Sequence, residues 1–295
     1  MKSLIALIAV ALLPVAGFAE SSLWKSSDPN SNPILDRGLI PDYSYYVGFI
    51  PDSNIENFDK TAVIEIGGNW EVITYEEAAF NGDVDINVNF DITSFLDDGD
   101  LDLPNQVTDL YFDLGWTYRV TDLDTLQLRA MPGVYSDLAS LDGNMVYIPV
   151  SAVIARNFTK NLSGIIGAQL RGGFDQMLMP IVGVDWQINN DCRLNARLPH
   201  SSLIYRFNEF GSCYLGFKWQ NMSYGLDDGS RDQITLNDFR FYGGASCQIA
   251  DGLYVFVETG KVFNREISFG DTGGNTVDYD VENALTMRFG LHGPF

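Results

Sequence analysis

The sequence predicts an all-β chain: a transmembrane antiparallel up-and-down β-barrel of about 12 strands, within a range of about 10 to 14. Three observations predict it. Apolar and polar residues alternate in segment after segment of the 295-residue chain. The last of these segments runs to the final residue, Phe295. The first residues form a secretory leader, and no later run reaches the ~18 consecutive apolar residues of a membrane-spanning helix.

The leader has a positive start at Met1-Lys2, an apolar core from Leu4 to Leu13, and small residues in Ala16-Gly17-Phe18-Ala19, with cleavage expected before Glu20. Residues 1–19 are thus read as a signal peptide. Residues 20–42, with Asp28-Pro29-Asn30 and Asn32-Pro33, read as an extended N-terminal segment. Residues 43–295 are the expected barrel.

Val84-Asp85-Ile86-Asn87-Val88-Asn89-Phe90-Asp91-Ile92 is the clearest strand, because neighbouring side chains of an extended chain point to opposite faces. Leu110, Phe112, Leu114, Trp116, Tyr118 and Val120 form the apolar phase of the next. Further strands are expected through 61–75, 125–136, 145–158, 162–174, 178–188, 192–198, 202–208, 212–222, 237–249, 252–265 and 281–295. Of these, 61–75 is a weaker candidate, as are residues 43–50; the other 12 make up the expected count. Tight turns fall at Thr121–Asp124, Thr159–Asn161, Asn189–Asp191 and Ala250–Gly252. Longer connections are expected at 95–106, 223–236 and 266–280. A barrel with short turns at one rim and longer loops at the other has this layout, although 174–178 and 199–202 are short where a long loop is expected.

A soluble β-sandwich also alternates, but its polar phase faces water and favours lysine. Here nine of the 12 arginines lie in the polar phase, where confined, hydrogen-bonded pairs suit guanidinium better than ammonium. Glu65, Glu71, Asp85, Asp109, Asp113, Arg119, Arg129, Arg156, Arg171, Arg193, Arg197, Arg206, Arg240 and Arg288 are the expected lumen-lining residues. The acids come from the first half and the arginines dominate the second. In a closed barrel that order places an acidic wall opposite a basic one, across which polar solutes would be oriented.

The chain carries a formal net charge of −21, which excludes nucleic acid as a partner in the absence of cations. Cys192, Cys213 and Cys247 fit apolar phases and read as small hydrophobes, with a Cys192–Cys213 disulfide as the alternative. Nothing calls for a metal or a cofactor.

Three functions fit. The first is a narrow porin-like channel for small polar solutes. The second is a structural or surface-interaction barrel with a filled interior, whose acidic loop Asp97-Asp98-Gly99-Asp100-Leu101-Asp102 offers oxygens to Ca²⁺ but lacks the distal Glu of an EF-hand. The third is a lipid hydrolase built on His200 and Ser202; it needs a carboxylate to orient the base, and Glu209 is the nearest. The non-enzymatic channel is the favoured expectation.

The closing segment Leu285, Met287, Phe289, Leu291, Gly293, Phe295 resembles the last strand of bacterial outer-membrane barrels, with Pro294 as a departure from that pattern. The resemblance implies that Phe289, Leu291 and Phe295 form the signal read by the barrel-assembly machinery. It further implies outer-membrane lipids as partners and a Gram-negative outer-membrane location. The layout Val184–Asp191, Leu198-Pro199, Leu203–Phe207 and Tyr214-Leu215-Gly216 is similar to a family of outer-membrane barrels of unknown function, for which no site residues are established.

Overall fold

A computed structural model describes residues 43–293 except 57, 59, 80–81, 98–100, 140–144, 228–230 and 272–274. The leader, the N-terminal segment, residues 98–100 of the acidic loop and Phe295 lie outside the described residues.

Seventeen segments make one sheet, antiparallel apart from a single parallel contact between the sixth and the thirteenth. They are β1 (Tyr43–Asn54), β2 (Lys60–Ala79), β3 (Gly82–Asp97), β4 (Gln106–Arg119), β5 (Asp124–Ala130), β6 (Gly133–Ser136), β7 (Val146–Tyr147), β8 (Val150–Thr159) and β9 (Leu162–Leu170). There follow β10 (Leu178–Asn189), β11 (Cys192–Leu198), β12 (His200–Asn208), β13 (Gly211–Gly225), β14 (Gln233–Ala250), β15 (Leu253–Gly270), β16 (Thr276–Val281) and β17 (Ala284–His292).

Some segments are two halves of one strand. The β5 and β6 segments pair with successive stretches of β4, and β8 and β7 continue the same pairing on the other side. The breaks fall at Pro132 and Pro149, at one level of the wall; proline cannot donate to the ladder. The β16 and β17 segments likewise share β15. The result is a 14-strand barrel, closed where β1 meets β17 in the register Ser44↔His292 to Phe49↔Met287.

The count exceeds the expected 12 because β1 and β2 are full strands. Pro51 and Gly67-Gly68 interrupt their alternation, and the partner that completes β1 is more than 200 residues away. Connections near the termini are tight turns, and all longer connections lie at the other rim, called here the far end. The hairpin Arg197–His200 belongs to the far end despite its shortness; its turn holds a cis Leu198–Pro199 peptide.

The apolar phase faces outward. Phe49, Trp70, Leu110, Phe112, Leu128, Ile154, Ile166, Val182, Trp186, Leu215, Phe241, Val257, Met287 and Phe289 are all exposed on the barrel wall. A soluble sheet would bury such a belt; hydrocarbon is the solvent it fits. Cys192, Cys213 and Cys247 are free and take no part in a disulfide.

The wall is uneven in height. The β2, β3, β14 and β15 strands have 20, 16, 18 and 18 residues, whereas β9, β11 and β12 have 9, 7 and 9. About 9–11 residues suffice to cross a bilayer, so the tall side projects beyond it at the far end. There β6 crosses above the short strands to meet β13 at Ser136↔Gly225. The narrowed projection is filled by Ile50, Val63, Phe95, Val107, Tyr135, Tyr224, Ile234, Ile267, Phe269 and Val281, a continuous apolar core. Phe174, from the connection between β9 and β10, packs against both Tyr135 and Tyr147 at ring distances of 5.3 and 5.4 Å.

Candidate functional site: the charged interior

Below the apolar core the inward phase turns ionic. Glu65 on β2 accepts hydrogen bonds from Arg240 on β14 (2.7 Å) and from Arg288 on β17 (2.7 and 3.1 Å). Gly48 stands between Glu65 and Arg288 in both registers, and a Cβ there would meet their side chains at 3.0–3.1 Å. Glycine at this position therefore lets the two reach each other across β1. Arg240 also donates to both oxygens of Asp238 at 2.9 and 3.0 Å. Arg288 lies 3.9 Å from Glu258, and its guanidinium sits 4.8 Å over the Tyr46 ring. The Tyr46 hydroxyl donates to Asp91, which faces Asp109 directly across the β3–β4 ladder.

Two further pairs line the wall. Arg129 on β5 bridges Asp113 and Asp85, the latter at 3.0 Å. Arg193 on β11 grips both oxygens of Asp185 on β10 at 3.0 Å, and Asn195 adds a third donor to the same carboxylate at 3.2 Å. Forked guanidinium–carboxylate contacts of this kind fix geometry as well as charge.

The expected lumen set divides on inspection. Glu65, Asp85, Asp109, Arg193 and Arg240 are buried, and Asp113, Arg129, Arg197, Arg206 and Arg288 are partly or largely so, all on the inward phase. Glu71 is half-buried beside a register shift of β2 and receives the Thr74 hydroxyl. Arg119 is exposed at the turn end of β4. Two arginines depart from the expectation. Arg156 shares the outward phase with Ile154 and Phe158, has a 59 % exposed side chain, and pairs with Asp124 at 3.5 Å near a turn. A position close to the interface lets a long cation reach water from that face. Arg171 has left β9: it is buried in the following connection and donates to Gln176 O at 2.9 and 3.1 Å, to Asn221 O, and to Asn221 Oδ1 at 3.0 Å. Burial lowers its pKa to about 10, against the opposing charge of Asp175, so it stays cationic at neutral pH.

The expected basic wall is also corrected. Asp185, Asp238 and Glu258 stand among its arginines and neutralise them locally. Each occupies the polar phase beside an expected arginine or its strand partner, which was the available signal. The hydrolase constellation does not assemble. His200 and Ser202 lie at one end of β12 and Glu209 past the other, about 30 Å along an extended strand. Among the described residues, no group of acidic, His and Cys side chains is arranged to hold a metal ion.

Residues 114–288, more than half the chain, match the family described as a domain of unknown function, DUF6268. The chain belongs to that family. The match thus covers the wall from within β4 into β17, including the interior arginines but not Glu65, Asp85, Asp91, Asp109 or Asp113. No curated protein matches in sequence. Among solved structures, the Pseudomonas putida toluene transporter TodX aligns at 10% identity and a TM-score of 0.33, over 93% of this chain and 95% of that one. A Pseudomonas aeruginosa FadL homologue aligns at 12% and 0.31, over 86% and 76%. Pseudomonas aeruginosa OpdQ aligns at 9% and 0.29, over 85% and 96%. Likenesses this weak carry no functional inference.

Proposed function

We propose that this DUF6268 member is an exported outer-membrane barrel of a Gram-negative envelope, with its termini and tight turns in the periplasm, acting as a narrow channel for small polar solutes. The observation that carries the reading is the interior layer around Glu65, Arg240 and Arg288: ionised groups enclosed by a wall whose outside is apolar. Stability alone does not call for such a layer, since well-packed apolar residues stabilise a core as well or better. The apolar core at the far end closes the direct axial route. The shortness of the wall at Leu198–Pro199 and the exposure of His200 at the tip of β12 support passage beside it. Phe289 is exposed on the outward phase and Leu291 is half-buried, which fits an assembly signal offered by the closing strand.

Planar-bilayer recording on the refolded protein tests the reading. Small, salt-dependent unitary currents are expected. Silence at all voltages, with heat-modifiable migration proving a folded barrel, would leave the filled structural barrel as the answer.

A further inference from the structure

The β13 strand loses its neighbour part-way up. β12 accompanies it as far as His200↔Lys218, and the Trp219 amide still donates to Pro199 O at 2.9 Å. Higher up, β6 meets it only at Ser136↔Gly225. Between these points, among the described residues, 220–224 have no strand beside them on that edge. In a closed sheet such an interval is a window in the wall. Gln220, on this edge, also lines the interior cavity that holds Glu65 and Arg240, so the window borders the charged layer.

Residues 171–177, the connection from β9 to β10, fill the window. Arg171 donates to Asn221 O and, at 3.0 Å, to Asn221 Oδ1. The Asp175 amide donates to Ser223 Oγ at 3.1 Å, and Gln233 Nε2 donates to Gly173 O. Phe174 is buried, with its ring on Tyr135 and Tyr147 and the Arg171 guanidinium 5.1 Å above it. Gly172, Asp175 and Met177 beside it are exposed. Gly173 has φ +89°, in the left-handed region, and a Cβ there would lie 2.1 Å from the Tyr147 ring. Glycine is therefore what lets the chain turn the Phe174 ring inward.

We infer that residues 171–177 are a gate: Phe174 stops a side window between β6, β13 and the β11–β12 hairpin, and Arg171 latches it. The inference rests on the reading of the barrel as a channel and gives its solute a route past the short wall. The apolar core is built from side chains of β1–β4 and β13–β16, and it moves only if the sheet does. The stopper instead belongs to a connection that a few hydrogen bonds hold to the β13–β14 edge. Exchanging such bonds for water costs little each, and a segment of this kind opens without unfolding the rest. Gly172-Gly173, next to the ring, supply the hinge.

Bilayer recording on the refolded protein tests the gate. In a background with Cys192, Cys213 and Cys247 replaced by alanine, Asp175→Cys/Ser223→Cys should tie the connection to β13. Loss of current on oxidation and its return on reduction are expected. Arg171→Gln should raise the open fraction by about tenfold, the equivalent of one charge-assisted hydrogen bond. Phe174→Ala should raise it too, and heat-modifiable migration identifies the variants that fold. Current that oxidation leaves unchanged, with an open fraction unchanged in the folded variants, overturns the gate and retains the channel. Silence of every form overturns the channel reading, and labelling then decides on the stopper. Gln220→Cys in the same background should react with a membrane-impermeant maleimide faster when Phe174→Ala is added. Equal rates overturn the stopper.

Discussion

Val63 and Glu65 lie two residues apart on the inward face of β2; Val107 and Asp109 do so on β4, and Phe95 and Asp91 four apart on β3. Within each pair the first is buried in the apolar core of the far end and the second belongs to the charged interior. The strand registers align the change, with Val63 opposite Phe95 and Thr93 opposite Val107. One barrel therefore has two interiors, one above the other. The upper is held by burial of apolar surface; the lower is held by ion pairs and hydrogen bonds in groups that reach across the seam of the barrel. The wall follows this division only in part: tall strands surround the apolar part, and β11 and β12 border the charged part, but β8–β10 carry a small buried apolar cluster of their own in Val153, Ala155 and Ile165. A polar phase in the sequence is thus polar only below a given height.

Substitutions in the two interiors should separate them. The largest effect is expected for Tyr224→Ala, which empties a fully buried ring site in the upper core and should cost about 3–5 kcal/mol. Urea unfolding of the barrel reads the loss, and single-channel current should rise if the core closes the axial route. Glu65→Ala leaves Arg240 and Arg288 without their shared anion and should cost about 3–5 kcal/mol if that layer is dry. A cost below about 1 kcal/mol would mean that water fills the layer, and the contrast between the interiors would sharpen into a dry cap over a wet lumen.

Next comes the outer face. Val257→Arg places a charge on the exposed apolar belt, for an expected loss of about 2–4 kcal/mol in lipid; equal stability in vesicles and in a soluble preparation would argue against hydrocarbon there. Arg171→Ala removes the donors that fasten the β9–β10 connection to Asn221, for about 1–3 kcal/mol, with faster proteolysis of residues 171–177. The smallest effect, under about 1 kcal/mol, is expected for Arg156→Gln, whose pair with Asp124 is solvent-exposed.

Much of the candidate site was legible in the polar phase. Asp85, Asp113 and Arg129 alternate inward with their neighbours, as extended strands require. Arg156 was misplaced because an arginine near an interface satisfies the outward face with its head in water, and alternation read by polarity cannot tell the two positions apart. Arg171 was misplaced because β9 ends one residue before it. The partners Asp185, Asp238 and Glu258 were present in the same phase, but their pairing depends on which strands lie side by side. The apolar filling of the far end was hidden for a different reason: there the inward phase turns apolar while the other turns polar, as in Gln233-Ile234-Thr235-Leu236-Asn237 and Glu266-Ile267-Ser268-Phe269, so polarity no longer marks the same face.

By itself, the sequence determined the strand faces, most of the turns and the class of fold, because side-chain direction in an extended chain alternates residue by residue. The tertiary structure alone decided where the sheet closes, how high each wall stands and which charges meet. Glu65 and Arg288, 223 residues apart, become neighbours only when β1 pairs on both edges. That contact comes from closure of the ring, and no local pattern encodes it.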